Sequence, residues 1–157
     1  MHTLLVLVGK TNDSRIISLM EDYIKRINRY HRLEIQIVPE IKKKGKNNEK
    51  LQKQKEGASI LEKLRPGDWT IILDERGKSF DSVSFSKYIN NKRSCALKRM
   101  VFVVGGAYGF SDEIYDRCQE KIALSSMTFS HQMVRLFLLE QLYRANTLLN
   151  YEPYHHK

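Results

Sequence analysis

Val101-Phe102-Val103-Val104-Gly105-Gly106-Ala107-Tyr108-Gly109 is the stretch on which the reading of the chain turns. A short apolar, mostly β-branched run followed at once by glycines predicts a buried strand that ends in a tight backbone turn. Glycine removes the side chain where a backbone must approach something closely, or supplies a positive φ. After the turn, Ser111 with Asp112 and Glu113 predicts a helix start, a capping hydroxyl followed by acids in the first turn. Strand, glycine turn and helix in succession make a cofactor cradle, and leave open which cofactor.

The flanking segments set the fold class. His2 to Val8 is a short apolar strand. Asp13 caps a helix whose apolar positions Ile16, Ile17, Met20, Tyr23, Ile24 and Ile27 recur at helical spacing, with Arg15, Lys25, Arg26 and Arg29 on its other face. Leu33 to Pro39 alternates apolar and polar residues, as a strand nearer an edge does. The basic segment Lys42-Lys43-Lys44-Gly45-Lys46 then runs into a polar helix, Glu49 to Leu64, closed by Pro66-Gly67. Trp69 to Leu73 is a third strand, followed by a loop from Asp74 to Lys78, a short helix from Ser82 to Asn90 and a basic loop, Asn91-Lys92-Arg93. Beyond the glycine turn come a short fifth strand, Ile122 to Leu124, and a long final helix, His131 to Leu149. Strands alternating with helices predict an α/β fold with a mostly parallel sheet and helices on both faces, in one domain spanning residues 1–157.

Bulk properties narrow the function. Hydrophobic residues make up 41% of the chain and charged ones 29%, which excludes a disordered chain. No apolar run reaches membrane-spanning length, and Met1 to Val8 lacks the basic region and cleavage site of a signal peptide. Cys95 and Cys118 have neither metal-ligand nor disulfide-framework spacing, so a reducing, cytoplasmic setting is expected, without metal. The net charge of +9 fits a polyanionic partner or a solvated basic surface, and Lys42, Lys43, Lys44 and Lys46 read as a phosphate-binding surface or as a solvated loop. Gly9-Lys10-Thr11 resembles the end of a phosphate-binding loop, but Leu4 stands where its first glycine is required. Gly105-Gly106-Ala107-Tyr108-Gly109 departs from the dinucleotide fingerprint and lies late in the chain. Both common nucleotide readings are thereby removed.

Several ordered motifs instead agree with one another. They are Leu73-Asp74-Glu75-Arg76-Gly77-Lys78, Val104-Gly105-Gly106-Ala107-Tyr108-Gly109, Leu124-Ser125-Ser126-Met127-Thr128-Phe129-Ser130-His131-Gln132, Glu140-Gln141-Leu142-Tyr143-Arg144-Ala145 and Tyr154-His155. Together with Val8-Gly9-Lys10 and the length of 157 residues, they resemble the ribosomal large-subunit methyltransferase H family of the SPOUT superfamily over essentially the whole chain. The resemblance implies a trefoil-knotted α/β fold, a homodimer and S-adenosylmethionine as cofactor. It further implies methylation of N3 of a pseudouridine in the helix 69 loop of large-subunit (23S) ribosomal RNA, on the assembled ribosome. It places Leu73, Gly105, Leu124, Ser125, Ser126, Met127, Thr128 and Phe129 at the cofactor. One departure is Ser130, where many relatives have proline. A methyltransferase of transfer RNA and a non-catalytic ribosome-associated RNA-binding factor are the rival readings.

The chemistry implied suits the residues. Adenine needs an apolar slot, which Leu73, Leu124, Met127 and Phe129 can supply, although the same residues suit an ordinary core. His131 and His155, as imidazoles, are candidate proton acceptors for an imide, and Arg144 could steady a developing oxyanion. His131 also reads as a helix terminus, and Arg144 as a partner of Glu140 four residues earlier. Tyr154 and His155 end an aromatic, cationic tail suited to unpaired bases. On the final helix, Val134, Phe137, Leu138, Leu142, Ala145 and Leu148 form one apolar arc and Leu136, Leu139 and Tyr143 a second, with Arg135 and Asn146 between them on one side and Glu140 and Arg144 on the other. Two arcs predict two burial partners, either the chain's own sheet and a second subunit or neighbours within one monomer.

Overall fold

The computed structural model describes residues 2–41, 48–95 and 97–155. Lys42, Lys43, Lys44 and Lys46, expected to meet RNA, and the terminal His156 and Lys157 lie outside the described residues. In chain order the elements are β1 (His2–Val8), α1 (Ser14–Ile27), β2 (Leu33–Val38), α2 (Glu49–Leu61) and β3 (Trp69–Ser79), then α3 (Ser82–Ser94), β4 (Arg99–Val104), α4 (Asp112–Arg117), β5 (Glu120–Ala123) and α5 (Met133–Leu149). The strands form one sheet in the order β2-β1-β4-β3-β5, with every neighbouring pair parallel. β1 and β4 lie inside it, and their continuous apolar runs are buried on both faces.

Alternate residues of those strands face two cores. Leu5, Leu7, Phe102 and Val104 pack beneath α1, α3 and α5, and Leu4, Val6, Val101 and Val103 beneath α2 and α4. Asp13 caps α1 as expected, accepting from Arg15 N at 2.9 Å. Met20 and Ile27 of its predicted stripe are buried, with Ile16, Tyr23 and Ile24 packed against them, whereas Ile17 is left 36% exposed at the margin.

Four expectations change. β3 does not stop at Leu73: it pairs with β5 again through Lys78 and Ser79, and residues 74–77 bulge between the two registers. A Cβ on Gly77 would stand 2.5 Å from Ile122 N, so only glycine lets the strands re-pair there. The basic loop at Asn91-Lys92-Arg93 is the last turn of α3. There Lys92 finds Glu120 at 2.5 Å and the Trp69 ring at 3.8 Å, Arg93 finds Asn146, and cations suit a helix C-terminus. Ser111 occupies the N-cap of α4, but its hydroxyl makes no capping hydrogen bond. Finally, α5 begins at Met133 instead of His131, after a turn in which Ser130 Oγ accepts from Met133 N at 3.2 Å.

The two apolar arcs of α5 are covered largely within the chain, by α1 and α3. Arg135 and Asn146, expected on a polar flank, are buried, because α5 lies enclosed and both side chains bond to buried groups. Phe137 stays 36% exposed beside Phe129, which is 38% exposed. No helix among the described residues is long and apolar enough to cross a membrane.

Candidate active site

In parallel α/β sheets ligands bind beyond the carboxyl ends of the strands. Here the ends of β3, β4 and β5 open into one cavity of about 470 Å³. Leu73, Gly105 and the whole Leu124 to Phe129 segment line it, so the structure brings together every residue expected at the cofactor. His131, in the turn before α5, and Val134, in its first turn, close one side. The glycine turn supplies a wall of backbone: a Cβ on Gly105 would lie 3.0 Å from the Phe110 ring, and one on Gly106 2.9 Å from Glu56 Oε2. Gly109 takes a positive φ of 78°, which returns the chain towards α4. Opposite, Met127 N donates to Ser125 Oγ at 2.9 Å and folds the Ser125 to Thr128 loop into a turn. Met127 is 74% exposed, so it stands at the rim and is not core.

Arg144, Tyr154 and His155 lie elsewhere. Arg144 follows Val134 by almost three turns of α5, about 15 Å along the helix axis. Glu140 Oε1 accepts from Arg144 Nε at 3.0 Å and from the Tyr154 hydroxyl at 3.3 Å. Arg144 stands 4.7 Å over the Tyr154 ring and 3.4 Å from His155 Nδ1. The Tyr154 hydroxyl also meets that of Tyr23 at 3.2 Å, and its ring packs edge-on to Tyr143. Burial, with Tyr23 next, pushes the Tyr154 phenol well above its ordinary range, so it is a hydrogen-bonding group and not a base. The tail is therefore seated on α1 and α5 of its own chain.

Residues 1–155 match the family model described as a predicted SPOUT methyltransferase. The chain belongs to the SPOUT methyltransferase family. It is 50% identical over 153 residues to the ribosomal RNA large subunit methyltransferase H of Christiangramia forsetii, covering 98% of each chain. It is 49% identical to the protein of that name from Flavobacterium johnsoniae, over 157 residues and 100% of each chain. To that of Porphyromonas gingivalis strain W83 it is 45% identical, again over 100% of both. Among solved structures, a probable methylase family protein from Haemophilus influenzae Rd KW20 matches with a TM-score of 0.53 at 11% identity. That match covers 95% of this chain and 66% of the other, and is a likeness of fold.

Two parts of the site in this SPOUT chain have no signal in sequence spacing. Asp74, on the β3 bulge at the cavity rim, receives Arg76 Nε and Nη2 at 3.0 Å each and the Tyr115 hydroxyl at 2.6 Å. The Arg76 guanidinium holds its carboxyl well below the usual range, while burial and then Asp74 push Tyr115 up to about 12. The trio ties the bulge to α4. Arg135 is fully buried and donates to Val8 O at 2.7 Å, Gly9 O at 3.0 Å and Thr11 Oγ1 at 2.9 Å. Gln132 adds bonds to Asn12 N at 2.9 Å and Lys10 O at 3.3 Å, so the start of α5 is bolted to the end of β1.

Proposed function

We propose that this chain is an S-adenosylmethionine-dependent methyltransferase of large-subunit ribosomal RNA, acting on N3 of a pseudouridine in the helix 69 loop. The observation that carries the reading is the convergence of Leu73, Gly105 and Leu124 to Phe129 on one cavity, in a chain of the SPOUT methyltransferase family. The cavity's volume of about 470 Å³ suits a nucleoside-sized ligand. Leu73, Leu124 and Phe129 offer apolar surface to adenine, Gly105 and Gly106 offer close backbone, and Ser125, Ser126 and Thr128 offer hydroxyls to the polar parts. When bound, the cofactor supplies a methyl group already activated on a sulfonium.

What remains for the chain is alignment and a proton acceptor. His131 lies at the cavity edge, exposed, where an incoming base would meet it, and is assigned the imide proton. Arg144, Tyr154 and His155 are assigned to the RNA, with Arg144 steadying charge on the uracil ring. Because they stand about 15 Å along α5 from their own cavity, they serve the cavity of a second copy in a homodimer. The exposed pair Phe129 and Phe137, with ring centroids 4.8 Å apart beside the cavity, gives that contact an apolar centre.

Mapping methylated nucleotides in the ribosomal RNA of a deletion strain, with and without the gene restored, tests the reading. Loss and return of one N3-methyl group in helix 69 is expected. An unchanged ribosomal RNA with a missing methyl group on transfer RNA would move the substrate, and no change in either RNA would refute the enzyme.

A further inference from the structure

α2 packs against the connection that joins β4 to α4, and two consecutive residues make the contact. A Cβ on Gly57 would lie 2.4 Å from Ser111 Oγ, so the helix backbone meets the Ser111 side chain with no room for a side chain of its own. Its neighbour Glu56 reaches the other end of the same connection. A Cβ on Gly106 would lie 2.9 Å from Glu56 Oε2 and 3.3 Å from Val8 Cγ1. Glu56 is only 3% exposed. Its Oε1 accepts from Gln52 Nε2 at 3.1 Å and from Ile41 N at 3.2 Å, at the point where the chain leaves β2 for the basic segment. Gly106 lines the cavity and Glu56 does not, so the carboxylate stands one layer behind the wall. Burying a carboxylate there opposes its ionisation, and its pKa is raised, by burial first, with Glu40 adding to the rise. An apolar residue of similar size would fill the space without that penalty; only the carboxylate or its amide also holds Ile41 N.

We propose that Glu56 is a positioning residue for methyl transfer: it props the Gly105-Gly106 wall from behind and ties that wall to the end of β2, setting the depth of the methyl-donor site. This rests on the reading of the cavity as the donor site.

The test is calorimetric titration of S-adenosylmethionine into the full chain and into E56A, E56Q, G106A and the double variant E56A/G106A, with circular dichroism to establish folding. E56A is expected to lose about tenfold in affinity, and E56Q, which keeps the volume and one acceptor, to stay within about threefold of the parent. The KM for the donor should rise in E56A while that for ribosomal RNA stays unchanged, a split that general loosening of the fold would not give. G106A should cost about fivefold less in the E56A background, because its new methyl no longer meets the carboxylate. If E56A does not fold, E56D, which withdraws the carboxylate by one methylene, runs the same cycle. Undiminished affinity in folded E56A or E56D, or an equal cost of G106A in both backgrounds, would overturn the proposal. A parent that binds no S-adenosylmethionine would instead overturn the reading on which it rests.

Discussion

The cavity at the strand ends and the cluster at the far end of α5 are built from different materials. At the cavity the decisive surfaces are main chain: Gly105 and Gly106 on one side, the Ser125 to Thr128 turn on the other, with apolar side chains between. At the cluster they are charged and aromatic side chains, Glu140, Arg144, Tyr154 and Tyr143, bonded and stacked on one another. A backbone wall is held by the strands behind it and is rigid before any ligand arrives. The tail that carries Tyr154 follows the end of α5 and is held by a few side-chain contacts, so it can be removed without opening the sheet. Under the proposed function, a site that grips a small cofactor and admits a large RNA would profit from that division.

The division can be broken or sharpened by separating the two functions. Truncation after Tyr154 keeps the Tyr154 side chain and removes His155, His156 and Lys157. Turnover should fall about a hundredfold while S-adenosylmethionine affinity stays within about twofold, checked by single-turnover methyl transfer beside calorimetry. A parallel loss of affinity would mean that the cluster belongs to its own chain's donor site. Next in size is complementation in a mixed dimer. When a chain blocked at the cavity (Gly105→Leu) is refolded with the truncated chain, one intact cavity and one intact tail meet across the interface. Activity should return to about a quarter of the parent's in a statistical mixture. If each chain's tail serves its own cavity, no activity returns.

A smaller effect is expected at the rim. Tyr115→Phe removes one of the bonds to Asp74 but leaves Arg76, so donor affinity should weaken about threefold or less and tail-dependent turnover should not change. The smallest effect lies outside both regions. Burial first, and then Arg93, lower His31 to about 4 from an ordinary 6.5. The unfolded chain therefore binds the extra proton across that window, and stability should decline as pH falls from about 6.5 towards 4. His31→Gln should flatten this decline in thermal melts while leaving donor affinity unaltered.

Much of the fold is legible in residue order. The apolar runs at His2 to Val8 and Val101 to Val104 announce buried parallel strands, and the glycine turn marks the end of β4. The bulge after Leu73 is hidden, because Asp74-Glu75-Arg76-Gly77-Lys78 is polar and reads as a loop, while the re-pairing at Lys78 depends on a partner strand more than forty residues later. Lys92 and Arg93 mislead for the same reason: their partners, Glu120 and Asn146, are distant in sequence, so charge alone reads as solvent exposure. At the candidate site, the three strand-end segments are recognisable as loops, but that they share one cavity depends on strand order. The distance between that cavity and the tail is likewise invisible until α5 is laid along the sheet. Arg135 is the clearest case. A cation on the flank of a helix ordinarily faces water, and only the buried carbonyls of Val8 and Gly9 at the end of β1 draw it inside.

Equilibrium titration of S-adenosylmethionine into the parent and Gly105→Leu chains tests most directly whether the cavity is the methyl-donor site. In the parent, one donor molecule should bind per intact cavity. Phe110 already lies 3.0 Å from the position of a Cβ at residue 105, so a leucine there must either displace that ring or enter the cavity, and binding should vanish while circular dichroism stays unchanged. Equal binding by the two chains, or none by the parent, would mean that the cavity is not the methyl-donor site.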